Sequence, residues 1–122
     1  MSEKQPWPTE IRLRKERTAL LVRFDDGKDY DLSAELLRVL SPSAEVQGHS
    51  PEQRQTVPGK AKVAITAIDP VGNYAVRLTF SDGHNTGLFS WTYLRHLGEN
   101  REGLWAGYLA DLKAKGLARE PL

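Results

Sequence analysis

His84 is the residue of this chain best suited to chemistry, because an imidazole can ligate a metal or move a proton near neutral pH. It follows Asp82-Gly83, a dipeptide that favours a tight hairpin turn, and precedes Ser90, a residue type that caps helices. Residues 41–60 add Ser41, Ser43, Glu45 and His49. If that stretch folds back over the Asp82-Gly83 turn, Glu45, His49 and His84 meet. Two imidazoles and one carboxylate suit iron, manganese or zinc. No short spacing such as His-x-x-x-His enforces the grouping, and a histidine just past a hairpin has an ordinary use in bonding nearby backbone. The expected metal set, if one forms, is His84, His49 and Glu45.

Other chemistries have less to stand on. A catalytic serine needs a nucleophile elbow or a paired base, and neither surrounds Ser41, Ser43 or Ser90, so no enzymatic activity is expected. The chain has no cysteine, which excludes disulfides, a thiolate nucleophile and Cys-ligated clusters. Its 17 basic and 16 acidic residues nearly cancel, so the net charge draws it to neither nucleic acid nor anionic lipid. Arg12, Arg14, Arg23, Lys62 and Arg77 are expected on the outward side of the sheet, where they could bind an anion or RNA or simply stay solvated. Trp91, Trp105, Tyr93 and Tyr108 fall at helix-face spacing as core and rim aromatics. Ser41, Ser43, Trp91 and Tyr93 together are the expected binding surface.

These residues must be positioned by local elements. Ile11 and Leu13 alternate with Arg12 and Arg14, and Leu20, Val22 and Phe24 continue the apolar side, the period of half-buried strands. Asp26-Gly27 predicts the first hairpin turn, and Ser33 a cap for a short helix reaching Leu40, with Leu36, Leu37 and Leu40 on one face. Residues 41–60 carry Pro42, Gly48, Pro51, Pro58 and Gly59 and no sustained period. A connection of that length inside a compact domain is usually functional or disordered. Strands resume over Val63, Ile65 and Ala67, a turn is expected at 69–73, and Tyr74, Val76, Leu78 and Phe80 form a one-sided strand. Ser90 is expected to cap a helix ending at Gly98. A last helix over about 102–115 places Leu104, Trp105, Tyr108, Leu109 and Leu112 on one stripe.

The two hairpins and the helices after them share a layout, each ending in Leu-Arg-x-Leu (Leu37 to Leu40, Leu94 to Leu97). Hairpins followed by helices, without a βαβ alternation, predict an α+β fold, an antiparallel sheet of two hairpin–helix units plus a C-terminal helix. At 122 residues one domain is expected over 9–122, with a loose arm at 1–8. No leader-like apolar stretch opens the sequence and no run suits a membrane span, so a cytoplasmic protein is expected.

Four stretches resemble a known family. They are Leu37-Arg38 running into Ser41-Pro-Ser-Ala-Glu-Val-Gln-Gly-His49, then Val57-Pro-Gly-Lys60, Asp69-Pro-Val-Gly-Asn-Tyr-Ala-Val76, and Asp82-Gly-His-Asn-Thr-Gly87 with Ser90-Trp91 and Tyr93-Leu94. With the segment from Trp7 they cover roughly three-quarters of the chain. The family is the gamma-butyrobetaine hydroxylase-like N-terminal domain, also called domain of unknown function 971, here resembling its stand-alone bacterial type. In the carnitine-pathway dioxygenases a similar domain precedes the catalytic jelly roll and holds a structural zinc through a Cys-x-Cys-x-x-Cys cluster and a histidine. By that resemblance His84 matches the histidine, while Ser41, Ser43 and Val46 stand where cysteines would. A hydroxyl or a valine cannot replace thiolates on zinc, so the resemblance implies a lost zinc site and no required cofactor. Related domains are also fused to P-loop ATPases of iron–sulfur cluster assembly.

The leading expectation is thus a non-catalytic binding or adaptor domain with a protein partner, accessory to iron or iron–sulfur metabolism. A small protein binding iron or another divalent metal through His84, His49 and Glu45 is the rival. An anion or RNA binder using the arginine face is the third, although neither a phosphate loop nor an RNP-type aromatic pattern accompanies it.

Overall fold

Alternating stretches become strands and serine-led stretches become helices. The order is β1 (Pro8–Arg14), β2 (Ala19–Phe24), β3 (Asp29–Ser33), α1 (Ala34–Val39), α2 (Ala44–Gln47), β4 (Ile65–Val71), β5 (Ala75–Phe80), β6 (Leu88–Ser90), α3 (Trp91–Glu99) and α4 (Arg101–Ala114). The computed structural model describes residues 6–121. The class is α+β. The strands form two three-stranded antiparallel sheets, β1-β2-β3 and β4-β5-β6, rather than one.

The internal repeat holds at the level of single hydrogen bonds. In the first turn the Phe24 amide donates to Lys28 O at 2.8 Å and the Gly27 amide to Phe24 O at 3.1 Å. In the second, the Phe80 amide donates to His84 O and the Gly83 amide to Phe80 O, both at 2.9 Å. Gly27 and Gly83 have φ of 85° and 90°, the left-handed region that glycine enters without a Cβ clash. Ser33 Oγ accepts the Leu36 amide and Ser90 Oγ the Tyr93 amide, so both helices are capped as expected.

Both sheets feed one core. Leu20, Val22 and Phe24 of β2 meet Val76, Leu78 and Phe80 of β5, with Leu37, Leu94 and Leu97 closing it from the helices. Full burial of each large apolar side chain contributes about 1.5–3 kcal/mol.

Several expectations need correction. Of the arm expected at 1–8, residues 1–5 lie outside the described residues. Trp7 is tied down, its amide donating to Asp25 Oδ1 at 3.1 Å and its carbonyl accepting the Asp25 amide at 2.8 Å, and Pro8 opens β1. The turn expected at 69–73 begins later, because β4 runs through Val71. Pro70 is tolerated because β4 is an edge strand, where a missing N–H costs no ladder bond. Gly98 does not end its helix; α3 continues to Glu99, and a Cβ at 98 would sit 2.5 Å from the Tyr30 ring. Leu109 leaves the expected stripe and is 39% exposed, while Tyr108 and Leu112 are buried.

The basic face is neither continuous nor unopposed. Arg12 and Arg23 face Glu10, Arg23 also faces Asp29, and Arg14 faces Asp31, all within 3.6 Å on the first sheet. Arg77 belongs to the second sheet, and Lys62 lies outside the strands.

Candidate functional site

The corner around His84 is built by three segments: the end of α1, the start of the 41–60 connection, and the turn after β5. Hairpin geometry projects His84 from that turn, and the chain leaving α1 runs past it. Ser41 Oγ lies 3.0 Å from His84 Nε2, and the Ser43 amide donates to the same Oγ at 3.3 Å. Thr86 Oγ1 donates to Glu45 Oε2, so the first turn of α2 is fastened to the strip beyond His84. The approach is close enough that a methyl at position 87 would overlap Ser41 Oγ, which makes Gly87 a packing requirement.

A second polar layer lies beneath. Asp82 Oδ2 takes Arg38 Nε at 2.7 Å and Lys60 Nζ at 2.6 Å, while its Oδ1 accepts the His84 amide at 3.0 Å. Burial alone would raise the Asp82 pKa, but the Lys60 contact, the His84 amide and Arg38 outweigh it and hold the carboxyl at about 2. Burial lowers the His84 pKa below its ordinary 6.5, and the nearby Arg38 charge pushes the same way. Both effects favour the neutral imidazole, which can act with Ser41 as either donor or acceptor.

A serine 3.0 Å from a histidine is the spacing of an activated nucleophile. Ser41, however, has no exposed surface, so no substrate carbonyl can reach its Oγ. Nor do the residues fit zinc. The donor set is two neutral hydroxyls and one imidazole already hydrogen-bonded to Ser41, and among the described residues no three His, Cys, Asp or Glu side chains gather where an ion could be held. His49 is exposed, its amide donating to Gln53 Oε1 at 2.8 Å, and it does not complete a donor group with His84 and Glu45.

The expected binding surface is corrected in two of its four residues. Ser41 and Ser43 are 0% and 4% exposed, turned inward to make the corner. Ser43 Oγ makes no hydrogen bond of good geometry but lies near enough to Glu45 to help hold that carboxyl ionised, after the larger effect of Thr86. Trp91 and Tyr93 are half-buried. Trp91 Nε1 donates to Asn73 O and its ring meets Trp7 edge-on at 6.3 Å; Tyr93 donates its hydroxyl to Leu40 O. Burial raises the Tyr93 pKa.

Sequence reasoning missed Asp82, Arg38 and Lys60 as parts of this corner. A signal existed in the repeat, since Asp82 and Arg38 correspond to Asp26 and Arg95. Lys60 had none.

The 41–60 connection is ordered by such joints. Beyond the Ser41–His84 contact, Tyr108 donates its hydroxyl to Val57 O and Lys115 donates to Thr56 Oγ1 at 2.7 Å. Within it, α2 and a 3-10 turn at Pro51–Gln53 leave Glu45, His49, Gln53, Arg54 and Gln55 exposed.

Comparison with known proteins agrees with this architecture. Two proteins of known solution structure are 48% and 44% identical, with TM-scores of 0.82 and 0.83. The first alignment covers 100% of this chain and 92% of that one, the second 98% and 94%. A crystal structure of a protein of unknown function from Acidithiobacillus ferrooxidans, of the DUF971 family, is 44% identical with a TM-score of 0.63, covering 75% of this chain and 91% of that one. No curated protein matches this chain. The profile of gamma-butyrobetaine hydroxylase-like N-terminal domains matches residues 11–95, and the chain belongs to that family.

Proposed function

We propose that the protein is a non-catalytic docking domain that binds a protein partner through the outer side of the 41–60 connection. One observation carries this reading: a twenty-residue connection is fastened to the folded body at Ser41, Glu45, Thr56 and Val57, yet turns a row of unburied polar residues outward between them. Ordered loops on a rigid scaffold are where recognition is usually placed, because the ordering entropy is met before binding. His49, Gln53, Arg54 and Gln55 offer mixed hydrogen-bonding groups rather than an apolar patch, the chemistry of a polar protein–protein contact. The Arg54 guanidinium is only loosely engaged, 3.7 Å from Asp111 and half exposed, so it is available to a partner carboxylate. The resemblance to domains fused to iron–sulfur assembly ATPases directs the first search for that partner to iron and iron–sulfur metabolism.

Affinity capture tests the reading with three forms of the full chain: wild type, a loop-face variant (His49→Ala with Arg54→Glu), and a control variant on the second sheet (Arg77→Glu). A partner held by wild type and control and lost by the loop-face variant supports it. Equal retention by all three forms removes the loop from the contact.

A further inference from the structure

We infer that residues 116–121 are a displaceable strap occupying a recognition site for an extended, arginine-bearing peptide. Helix α4 ends at Ala114, with Lys115 as its C-cap, in a Schellman closure: the amide of Gly116, at φ 65°, donates to Lys113 O, and the Leu117 amide donates to Leu112 O. The chain then lies along residues 59–61, where the Gly59 amide donates to Ala118 O at 2.9 Å and the Ala61 amide to Arg119 O at 3.0 Å. Arg119 reaches down to Glu35 with two hydrogen bonds, Nε to Oε2 at 2.9 Å and Nη2 to Oε1 at 2.8 Å. Its guanidinium also sits 5.1 Å above the centroid of the Trp105 ring.

The receiving site and its occupant differ in how firmly they are built. Glu35 is 6% exposed on α1, with Trp105 and Tyr108 beside it on α4, so the carboxylate and the aromatic platform belong to the folded body. The strap is exposed at every residue from Gly116 to Pro121, and Arg119 itself is 42% exposed. Segments with few buried contacts open at a free energy below that of global unfolding. Opening would leave a buried carboxylate without its cation, a state that selects strongly for a replacement arginine. A bidentate carboxylate beneath a π face suits guanidinium better than ammonium. Two backbone amides at 59 and 61 supply the register for an extended chain. The partner is thus a protein presenting an exposed extended segment with one arginine. This inference stands apart from the outer face of the 41–60 connection, and loss of either contact leaves the other.

Two measurements on the full chain test it. The first is hydrogen exchange of the wild type, where the Gly59 and Ala61 amides should exchange at least about tenfold faster than those of Val22 and Leu78. Exchange of all four at one rate would mean the strap opens only with the whole fold and would overturn the inference. The second adds the peptide Gly-Leu-Ala-Arg-Glu-Pro to the Arg119→Glu protein. Saturable shifts of the Gly59 amide and the Trp105 indole are expected, weakened at least about tenfold when alanine replaces the peptide arginine or Gln replaces Glu35. No saturable shift in folded Arg119→Glu protein, or equal binding of both peptides, would also overturn it.

Discussion

Arg95 on α3 grips Asp26 on the first hairpin turn through two hydrogen bonds, Nη1 to Oδ1 at 3.0 Å and Nη2 to Oδ2 at 2.7 Å. Arg38 on α1 makes the reciprocal contact with Asp82 on the second turn. Each unit's helix thus braces the other unit's turn, and the corner that carries His84 is one of these two braces.

The braces should dominate acid sensitivity. Hydrogen bonds from Arg95 hold the Asp26 pKa at about 2, and Asp82 is held at about 2 against the opposing effect of burial. Carboxyls depressed in the folded state add stability above their unfolded pKa and lose it as pH falls through the folded value. Stability should therefore drop between about pH 4 and pH 2. Asp82→Asn should cost about 1–2 kcal/mol at pH 7 and flatten that drop, measured by urea denaturation across the pH range. An unchanged acid limb in Asp82→Asn would contradict the brace.

His84 should titrate below 6.5, because burial and Arg38 disfavour its charged form despite Glu45 and Asp82 nearby. A depressed histidine contributes stability that is complete above its unfolded pKa and lost as pH falls through the folded one. An NMR titration of the imidazole gives the midpoint directly. Ser41→Ala should cost about 1 kcal/mol at pH 7 and raise amide exchange at Ser43.

Two pairs of glycines should respond in opposite directions. Gly87→Ala and Gly98→Ala push a methyl into Ser41 Oγ and the Tyr30 ring, and each should cost about 1–3 kcal/mol. Gly103 and Gly107 lie within α4 with nothing within 4 Å of a new Cβ, so alanine there should stabilise by up to about 1 kcal/mol each. Thermal melts of the four variants check the sign of each.

Much of the architecture was readable because it is local. Asp26-Gly27, Asp82-Gly83, Ser33 and Ser90 act within three or four residues of themselves, and alternation around Val22 and Leu78 showed the inward faces. The site was less readable because its contacts span distance: Arg38 meets Asp82 across 44 positions and Glu35 meets Arg119 across 84. Serine usually lies at the surface, which is why the inward turn of Ser41 and Ser43 could not be seen. Gly98 matched a helix stop in type, and only the Tyr30 ring against it shows a packing role.

Stability should not depend on a divalent ion, since Ser41, Ser43 and His84 are joined by hydrogen bonds and offer no thiolate. Melting temperatures with chelator, without it, and with added zinc should coincide. A rise with zinc, or a fall with chelator, would show ligands these contacts do not account for.

Site-specific photo-cross-linking tests the docking face most directly, with a photoreactive residue placed at position 54 in one form of the full chain and at position 77 in another. Position 54 is predicted to capture one protein in stoichiometric yield while position 77 captures none. Capture of that protein equally from both positions, or from 77 alone, would contradict the assignment of the docking face to the 41–60 connection.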